Sequence, residues 1–305
     1  MSATNSGFEK LANLPTTLSS TQCVLFEKEL LICGGFLTQE CYSYHLKKDR
    51  YKKICDYPET IEINGHAVVQ VKKSKMETTL LSFGGSHNHT LVMKYQSVWN
   101  KSKKVENQWI ALTIDIGIPE DDMQHVRASV DRKRSLLFIV HPPNHMKVLS
   151  TNSLQLKAKT MLPIDNIVGG SCFVSLSAHA MFFFNRNSGL RITYHQTHSS
   201  FEYKKLPICD DLHYALDYSF VFSKGYVVLF GGYRRGDTYS NSIFLYSVHT
   251  NEWKRSPFIL PTPVHNTFAI INDNKTHIHV MGGYDGTNFT EQHLRIDVAS
   301  VIGIV

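Results

Sequence analysis

Residues 227–232 read Val-Val-Leu-Phe-Gly-Gly, a short apolar run that ends in a pair of glycines. The same pattern closes the runs at residues 30–35, 80–85 and 279–283. The first glycines at positions 34 and 84 are 50 residues apart, and those at positions 231 and 282 are 51 residues apart. A fixed period of this length indicates an architecture of internal repeats, each of them one supersecondary unit.

Between the second and third glycine pairs there is room for two further repeats whose glycines have been replaced. The apolar run 135–140 reaches His141-Pro142, and the run 181–184 reaches Asn185-Arg186. The chain therefore divides into six units of about fifty residues each.

The local pattern within a unit predicts four short antiparallel strands. Residues 214–223 alternate apolar and small or polar side chains, and a Lys224-Gly225 turn leads into the apolar run before Gly231. A polar loop at 234–241, a strand at 242–248 and a strand that opens at Trp253 follow. Four strands in each of six units predict an all-β fold, a six-bladed β-propeller.

The units resemble the kelch repeat. The similarity lies in the glycine pair, in aromatic residues on the third strand (41–44, 243–246), and in residues that open and follow the fourth strand, namely Tyr51, Trp109 and Trp253, then Pro58, Pro119 and Pro257. The resemblance implies a single kelch domain over residues 1–305, with blades at about 16–58, 64–119, 124–163, 169–207, 214–257 and 264–298, the last completed by residues 8–15.

The two ends of the repeat array indicate how the ring closes. Residues 8–15 look like a fourth strand that no first three strands precede, whereas the sixth unit has three strands and no fourth. We expect the N-terminal strand to complete the last blade, which removes an exposed sheet edge. The apolar tail 298–305 is the alternative: it would supply that strand or cover the edge of the blade.

The backbone conformation explains why these paired positions are glycines. The second strand turns sharply there, so the backbone needs a positive φ or neighbours that a Cβ would obstruct. The predicted structural glycines are Gly34, Gly35, Gly84, Gly85, Gly231, Gly232, Gly282 and Gly283.

Composition narrows the class of protein. The chain of 305 residues is 42% hydrophobic and 19% charged, so it can bury the core of one large β domain. Six blades leave no room for a BTB, F-box or RING domain, and no signal peptide or membrane span is recognisable. The six cysteines have no Cys-x-x-Cys spacing. They predict buried free thiols and a cytoplasmic location.

Antiparallel strands divide the loops between two faces. The loops that join strands 2 to 3 and 4 to 1 form what we call the upper face, and the remaining loops form the lower face. Basic residues of the lower face, such as Lys72, Lys73 and Arg132, account for much of the net charge of +6. Aromatic residues are not interleaved with them, so we expect no nucleic-acid partner.

In kelch proteins that capture peptides, the residues just past the glycine pair line the pocket. By that resemblance the predicted partner-binding residues are Phe36, His87, Tyr233, Arg234, Arg235, Tyr284 and Phe289. An arginine offers a charge-assisted fork to carboxylates, and aromatic rings offer rigid contact area. The expected partner is a protein, with an acidic peptide segment as the chemistry that fits best.

No catalytic motif is recognisable, and we expect no catalytic residue, cofactor or metal. The histidine pairs His87/His89 and His277/His279 each lack a third ligand. The acidic residues Asp121 and Asp122 fall between blades, where they are expected to be solvated.

The sequence thus predicts a monomeric, non-enzymatic adaptor or scaffold that binds a partner segment on its upper face. Two alternatives remain open. Kelch-like folds include small-molecule enzymes of the mutarotase or epimerase kind, for which His141, Arg186, Arg234 and Arg235 would line a channel. The second alternative is a structural, actin-associated kelch protein that uses its basic lower face.

Overall fold

The structure is a computed structural model that describes residues 7–100, 106–117, 121–165, 169–212, 215–234, 236 and 238–303. Within these ranges the strands form six four-stranded antiparallel sheets and one three-stranded sheet. The prediction of an all-β protein with six four-stranded blades is confirmed. Arg235 and the expected blade limits at positions 119 and 214 lie outside the described residues.

The first half of the chain supplies one isolated strand and three consecutive blades. The strands are β1 (Glu9–Lys10); in blade 1, β2 (Gln22–Phe26), β3 (Glu29–Gly35), β4 (Thr38–His45) and β5 (Arg50–Asp56); in blade 2, β6 (His66–Lys73), β7 (Thr78–Gly84), β8 (His89–Tyr95) and β9 (Ile110–Ala111); and in blade 3, β10 (Arg127–Val130), β11 (Leu136–His141), β12 (His145–Ser150) and β13 (Leu156–Met161).

The second half supplies three blades, a small extra sheet and two short helices. Blade 4 has β14 (Cys172–Ser175), β15 (Ala180–Phe184), β16 (Gly189–His195) and β17 (Ser200–Leu206), followed by a 3₁₀ turn at Asp210–Leu212. The segment of blade 5 and the small sheet has β18 (Ala215–Leu216), β19 (Ser219–Ser223), β20 (Tyr226–Phe230), β21 (Tyr233–Arg234), β22 (Thr238–Tyr239), β23 (Ser242–Ser247) and β24 (Glu252–Ile259). The last segment has β25 (Phe268–Ile271), β26 (His277–Met281), β27 (His293–Asp297) and helix α1 (Val298–Ile302).

The blades form a closed ring around their first strands. Blade 5 consists of β19, β20, β23 and β24, and blade 6 of β25, β26, β27 and β1. The inner strands β2, β6, β10, β14, β19 and β25 each contact the next one, and β25 contacts β2 again. Six clusters of buried apolar side chains lie one between each pair of neighbouring blades. The hydrophobic core is therefore a ring of interfaces between blades.

The N-terminal strand completes blade 6, as predicted. Glu9 and Lys10 of β1 pair with Arg295 and Leu294 of β27. The strand is only two residues long, but the Leu11 and Leu14 backbone N–H groups continue the contact by donating to carbonyls of His293 and Glu291. The alternative, in which the C-terminal tail supplies this strand, is wrong, because residues 298–302 form helix α1, which packs on β24 and β27.

The glycine pairs hold the linkers that run from one blade to the next. Gly231 and Gly282 have φ values of +66° and +63°, and a Cβ on either would collide with a linker carbonyl, that of Val264 or Leu18. The Gly283 N–H donates to the same Leu18 carbonyl over 2.7 Å. In blades 3 and 4 the equivalent residues, His141-Pro142 and Asn185-Arg186, are without a positive φ, so these two corners follow a different backbone path.

A second repeated feature lies one or two residues before each inner strand. One residue per blade there has a positive φ, and together they form what we call the collar: Ser20, Gly65, His125, Gly170, Asp217 and Asn266. Part of the collar is joined by backbone hydrogen bonds. Ser20 N–H donates to Asn266 C=O, Asn266 N–H to Asp217 C=O, and Asp217 N–H to Gly170 C=O, over 2.9, 2.8 and 3.2 Å. The collar thus ties neighbouring blades together at the upper mouth of the channel.

Two sequence-based expectations need correction. The polar loop expected at 234–241 contains a hairpin, since β21 pairs with both β18 and β22 in the three-stranded sheet. The acidic side chain of Asp121 is not solvated: only 8% of it is exposed, and it forms an ion pair with Lys147. Both corrections concern upper-face segments that fold back over the blades.

Candidate binding face and channel mouth

The upper face of blades 5, 6 and 1 carries a continuous group of aromatic rings. We call this group the aromatic patch; its members are all half-buried, and they are Phe36, Tyr233, Tyr239, His265, Tyr284 and Phe289. Four of the six are residues for which the sequence predicts partner binding. The structure therefore brings residues that are more than 250 positions apart into one surface.

Neighbouring rings of the patch are in contact along its whole length. The Phe36 and Phe289 centroids are 5.7 Å apart, and those of Phe289 and Tyr284 are 5.2 Å apart. Tyr284 continues to His265 over 5.6 Å and to Tyr239 over 6.1 Å, and Tyr239 lies 5.6 Å from Tyr233. These separations lie in the range of favourable aromatic pairs, so the rings support one another's positions.

The extra three-stranded sheet positions the blade 5 end of the patch. Tyr233 lies opposite Leu216 on one side and Tyr239 on the other, and Arg234 lies opposite Ala215 and Thr238. Gly236, with a φ of +99°, is at the tip of the hairpin. A direct cross-strand pair presents both side chains on one face. The hairpin therefore brings Tyr233 and Tyr239 together, and it places Arg234 one residue away.

Blade 6 uses a short turn for the same purpose. The Asp285 carboxylate accepts hydrogen bonds from the backbone N–H groups of Thr287 and Asn288, both over 2.8 Å. These bonds lower the pKa of Asp285 because they favour its charged form. The turn brings Phe289 back towards Tyr284, with which it forms an antiparallel bridge.

His87 does not join the patch. Its exposed ring accepts a hydrogen bond at Nδ1 from the Glu62 backbone N–H over 2.8 Å. It lines a separate groove at the junction of blades 1 and 2, together with Leu37 and Glu40. His89, two residues on, is buried and pairs with Ser82. The two histidines His87 and His89 therefore lie in different environments.

A charged group lies beside the patch at the mouth of the central channel. The Nδ1 atom of His265 is 4.0 Å from a carboxylate oxygen of Asp217, and it is buried without a hydrogen-bond partner among the described residues. Burial lowers the pKa of His265, and the nearby Asp217 carboxylate offsets part of that effect. A neutral imidazole at this place can donate to, or accept from, a bound group.

Below the collar the channel contains a cavity of about 240 Å³. Its wall includes the collar residues Asp217 and His125 as well as Arg127, which begins β10. The Arg127 Nε donates to the Ser171 carbonyl over 3.1 Å, so this guanidinium is partly used in joining blades 3 and 4. Of the residues considered for an enzymatic channel, Arg186 lies outside this cavity, in a surface groove with Asp217 and His125, and His141 is buried in blade 3.

Sequence reasoning missed His265, Asp217 and Arg127 as contributors to this region. All three lie in or beside linkers, where no glycine pair marks them. The sequence carried one signal for His265 and Asp217, namely that both lie in the segments that lead into β25 and β19.

The comparisons with known proteins agree with this geometry. The profile described as Kelch motif matches residues 216–257, the segment that contains most of blade 5. A solved structure titled "Structure of YjhT" superposes with a TM-score of 0.74 at 13% sequence identity, and the match covers 94% of this chain and 97% of that one. The chain has the fold of a kelch-type propeller and carries a kelch motif in blade 5. At that identity the match to YjhT concerns the fold alone, and the search of curated proteins found no match.

The kelch motif match includes the hairpin that carries Tyr233 and Arg234, so the blade 5 end of the patch lies within the matched segment. In the described part of this kelch propeller, none of the helices has the length and apolar character needed to cross a bilayer.

Proposed function

We propose that this kelch propeller is a protein-interaction module that binds a segment of a partner protein across the aromatic patch. The observation that carries the proposal is the continuity of the six rings over three blades of the upper face. Exposed aromatic surface of this kind is typical of interaction sites, and tyrosine is enriched among the residues that dominate binding energy.

The polar groups beside the patch favour a partner segment that carries both apolar and acidic residues. Arg234 follows Tyr233 on β21, where successive side chains leave the hairpin on opposite faces, and its guanidinium suits a carboxylate. His265 adds an imidazole ring that contacts Tyr239 and Tyr284. We infer that an apolar side chain of the partner packs on Tyr284 and Phe289 while an acidic side chain reaches towards Arg234.

The enzyme alternative has one observation in its favour, the meeting of His125, Arg127 and Asp217 at the channel. Two facts weigh against it. The cavity of about 240 Å³ lies below the roughly 300–1,000 Å³ of typical small-molecule pockets. In addition, Arg127 already donates to a backbone carbonyl. A broad, shallow contact on the rings therefore accounts better for the upper face.

The first test is selection of peptides from a random display library with the full-length protein as bait. We expect enriched peptides to combine an aromatic or large apolar residue with nearby acidic residues. Phe289→Ala and Arg234→Ala should each weaken binding of a synthesised peptide by about 1 kcal/mol or more, roughly fivefold, because contacts at the centre of a site dominate its energy. Isothermal titration calorimetry measures the change.

Leu156→Ala is the matched control. This residue is 52% exposed at the beginning of β13, on the opposite face, so its loss should leave peptide affinity unchanged. Peptides that bind Phe289→Ala and Arg234→Ala as tightly as the parent would remove the patch from the site. In that case sugar and carboxylate ligands of the channel become the next candidates to screen.

A further inference from the structure

Blade 3 brings a second group of polar side chains together at its upper corner. His141 ends β11 and His145 begins β12, and the two are direct cross-strand partners. Direct partners leave a sheet on the same face, and Lys147, two residues farther along β12, shares that face. Asp121 reaches the same place from the linker after blade 2, where it forms an ion pair with Lys147.

The tautomer of His141 follows from its surroundings. Its ring is fully buried, and Nδ1 lies 3.2 and 3.0 Å from the carbonyl oxygens of Asp122 and Pro142. Carbonyl oxygens only accept, so Nδ1 carries the ring proton. Nε2 is therefore an unprotonated lone pair, and it is buried without a hydrogen-bond partner. It lies 3.9 Å from Oδ1 of Asp121.

His141 and Asp121 are each held by the kind of hydrogen bond that orients metal-binding side chains. A metal-binding histidine commonly donates its other N–H to a backbone carbonyl, and a ligating carboxylate is held by a further hydrogen bond. His141 meets the first condition. Asp121 meets the second, because Lys147 holds its Oδ2 while its Oδ1 lies 3.9 Å from Nε2 of His141.

We propose that Asp121, His141 and His145 form a zinc site with a fourth position for water. One ligand atom from each residue lies within 4.8 Å of the others. A tetrahedral zinc ion with bonds of about 2.0–2.1 Å needs ligand atoms about 3.3 Å apart, so small side-chain shifts complete the site. Two imidazoles and one carboxylate are a donor set that suits Zn²⁺. This site is independent of the proposed peptide-binding patch.

Zinc titration of the chelator-treated, full-length protein tests the proposal. We expect one equivalent of Zn²⁺ to bind in calorimetry, and Co²⁺ in its place to give the intense visible bands of a four-coordinate ion. His145→Ala and Asp121→Asn should each weaken zinc binding at least tenfold. His198→Ala, which removes an exposed histidine of blade 4, should leave the affinity unchanged.

Lys147→Met distinguishes this site from general chelation by surface histidines. Loss of the contact that holds the Asp121 carboxylate should weaken zinc binding at least tenfold, because the outer partners of metal ligands are typically worth about 10- to 100-fold in affinity. Unchanged affinity in Lys147→Met would place the metal away from Asp121 and overturn the proposal. Absence of stoichiometric binding by the parent, or parent-like binding by His145→Ala and Asp121→Asn, would overturn it too. If circular dichroism shows that Asp121→Asn does not fold, His145→Gln, expected to lose binding at least tenfold, takes its place.

Discussion

At the scale of single residues, the second strand of a blade and the linker to the next blade meet at one glycine. Gly282 has a φ of +63°, and its Cα faces the Leu18 carbonyl. The neighbouring Gly283 N–H donates to that carbonyl. The glycine pair thus satisfies a backbone acceptor and sets the distance between blade 6 and blade 1.

Gly282→Ala should lower the free energy of unfolding by at least about 2 kcal/mol, because a left-handed backbone costs a residue with a Cβ about 1–2 kcal/mol and the linker must also move. Gly236→Ala is the control: Gly236 also has a positive φ, but an added Cβ would meet nothing within 4 Å. Urea unfolding measures both. Equal losses in the two variants would show that the linker contact contributes nothing.

At the scale of elements, the junction of the first and last blades depends on a short segment. The ladder between β1 and β27 has two residue pairs, and Arg295 Nε donates to a Glu9 carboxylate oxygen over 2.7 Å. Most of the stabilisation of this junction comes from Leu11 and Leu14, which are buried between blades 6 and 1. A strand of minimal length is therefore sufficient, because the side chains that follow it anchor the segment.

Deletion of residues 1–15 should expose the edge of β27 and cause aggregation or a large fall in melting temperature. Burial of two leucines is worth about 3–6 kcal/mol, a large share of the roughly 5–15 kcal/mol that stabilises a typical domain. Deletion of residues 1–6, which retains β1, is the matched control. Light scattering and calorimetry measure the outcome. A stable monomer after the longer deletion would contradict this view of how the ring closes.

The elements also show which parts of the fold a sequence can predict. The period of the glycine pairs and the unpaired strand at the N-terminus predict six blades and the way in which they close. The hairpin of β21 and β22 was missed, because two-residue strands rich in polar residues have no periodicity to detect. The collar was missed for a different reason: its left-handed positions are filled by five residue types, Ser, Gly, His, Asp and Asn.

Site residues that hold a fixed position in the repeat could be predicted from the sequence, and site residues without such a position could not. Tyr233, Tyr284 and Phe289 follow a glycine pair and could be selected by position. Asp121, His141 and His145 converge from a linker and a hairpin turn in a blade without that pair, so no spacing in the sequence marks them as neighbours.

At the scale of the whole molecule, imidazoles are buried in blades 2 and 6, facing blade 1. His66 and His89 lie in blade 2, and His279 and His293 in blade 6 are joined over 2.8 Å between ring nitrogens. Burial lowers the pKa of His66 to about 3, of His89 to about 4 and of His279 to about 3. The folded protein therefore holds these rings neutral at pH values where the unfolded chain protonates them.

The free energy of unfolding should therefore be highest above pH 6.5 and should fall as the pH decreases from 6.5 towards 4. In that window the unfolded state binds more protons than the folded state; each of the three histidines contributes a loss of about 1.4 kcal/mol at pH 5.5. Urea unfolding between pH 7.5 and 5 measures the slope. His66→Gln, which removes one titrating group, should flatten the slope by at most about a quarter, because burial lowers the pKa of His293 and of other histidines as well. A constant free energy over this range would contradict the buried, neutral state of these rings.

The ion pair between Glu9 and Arg295 joins positions 286 apart in sequence. At the usual synthesis rate of about 5–20 residues per second, the ribosome needs roughly 15–60 s to pass from the first partner to the second. During that time the earlier blades can pair their own strands, but the N-terminal segment has no edge to join. Newly made chains therefore spend most of their synthesis with the sides of Leu11 and Leu14 that face blade 6 uncovered, and a nascent-chain chaperone that recognises short apolar segments has its target there until β27 emerges.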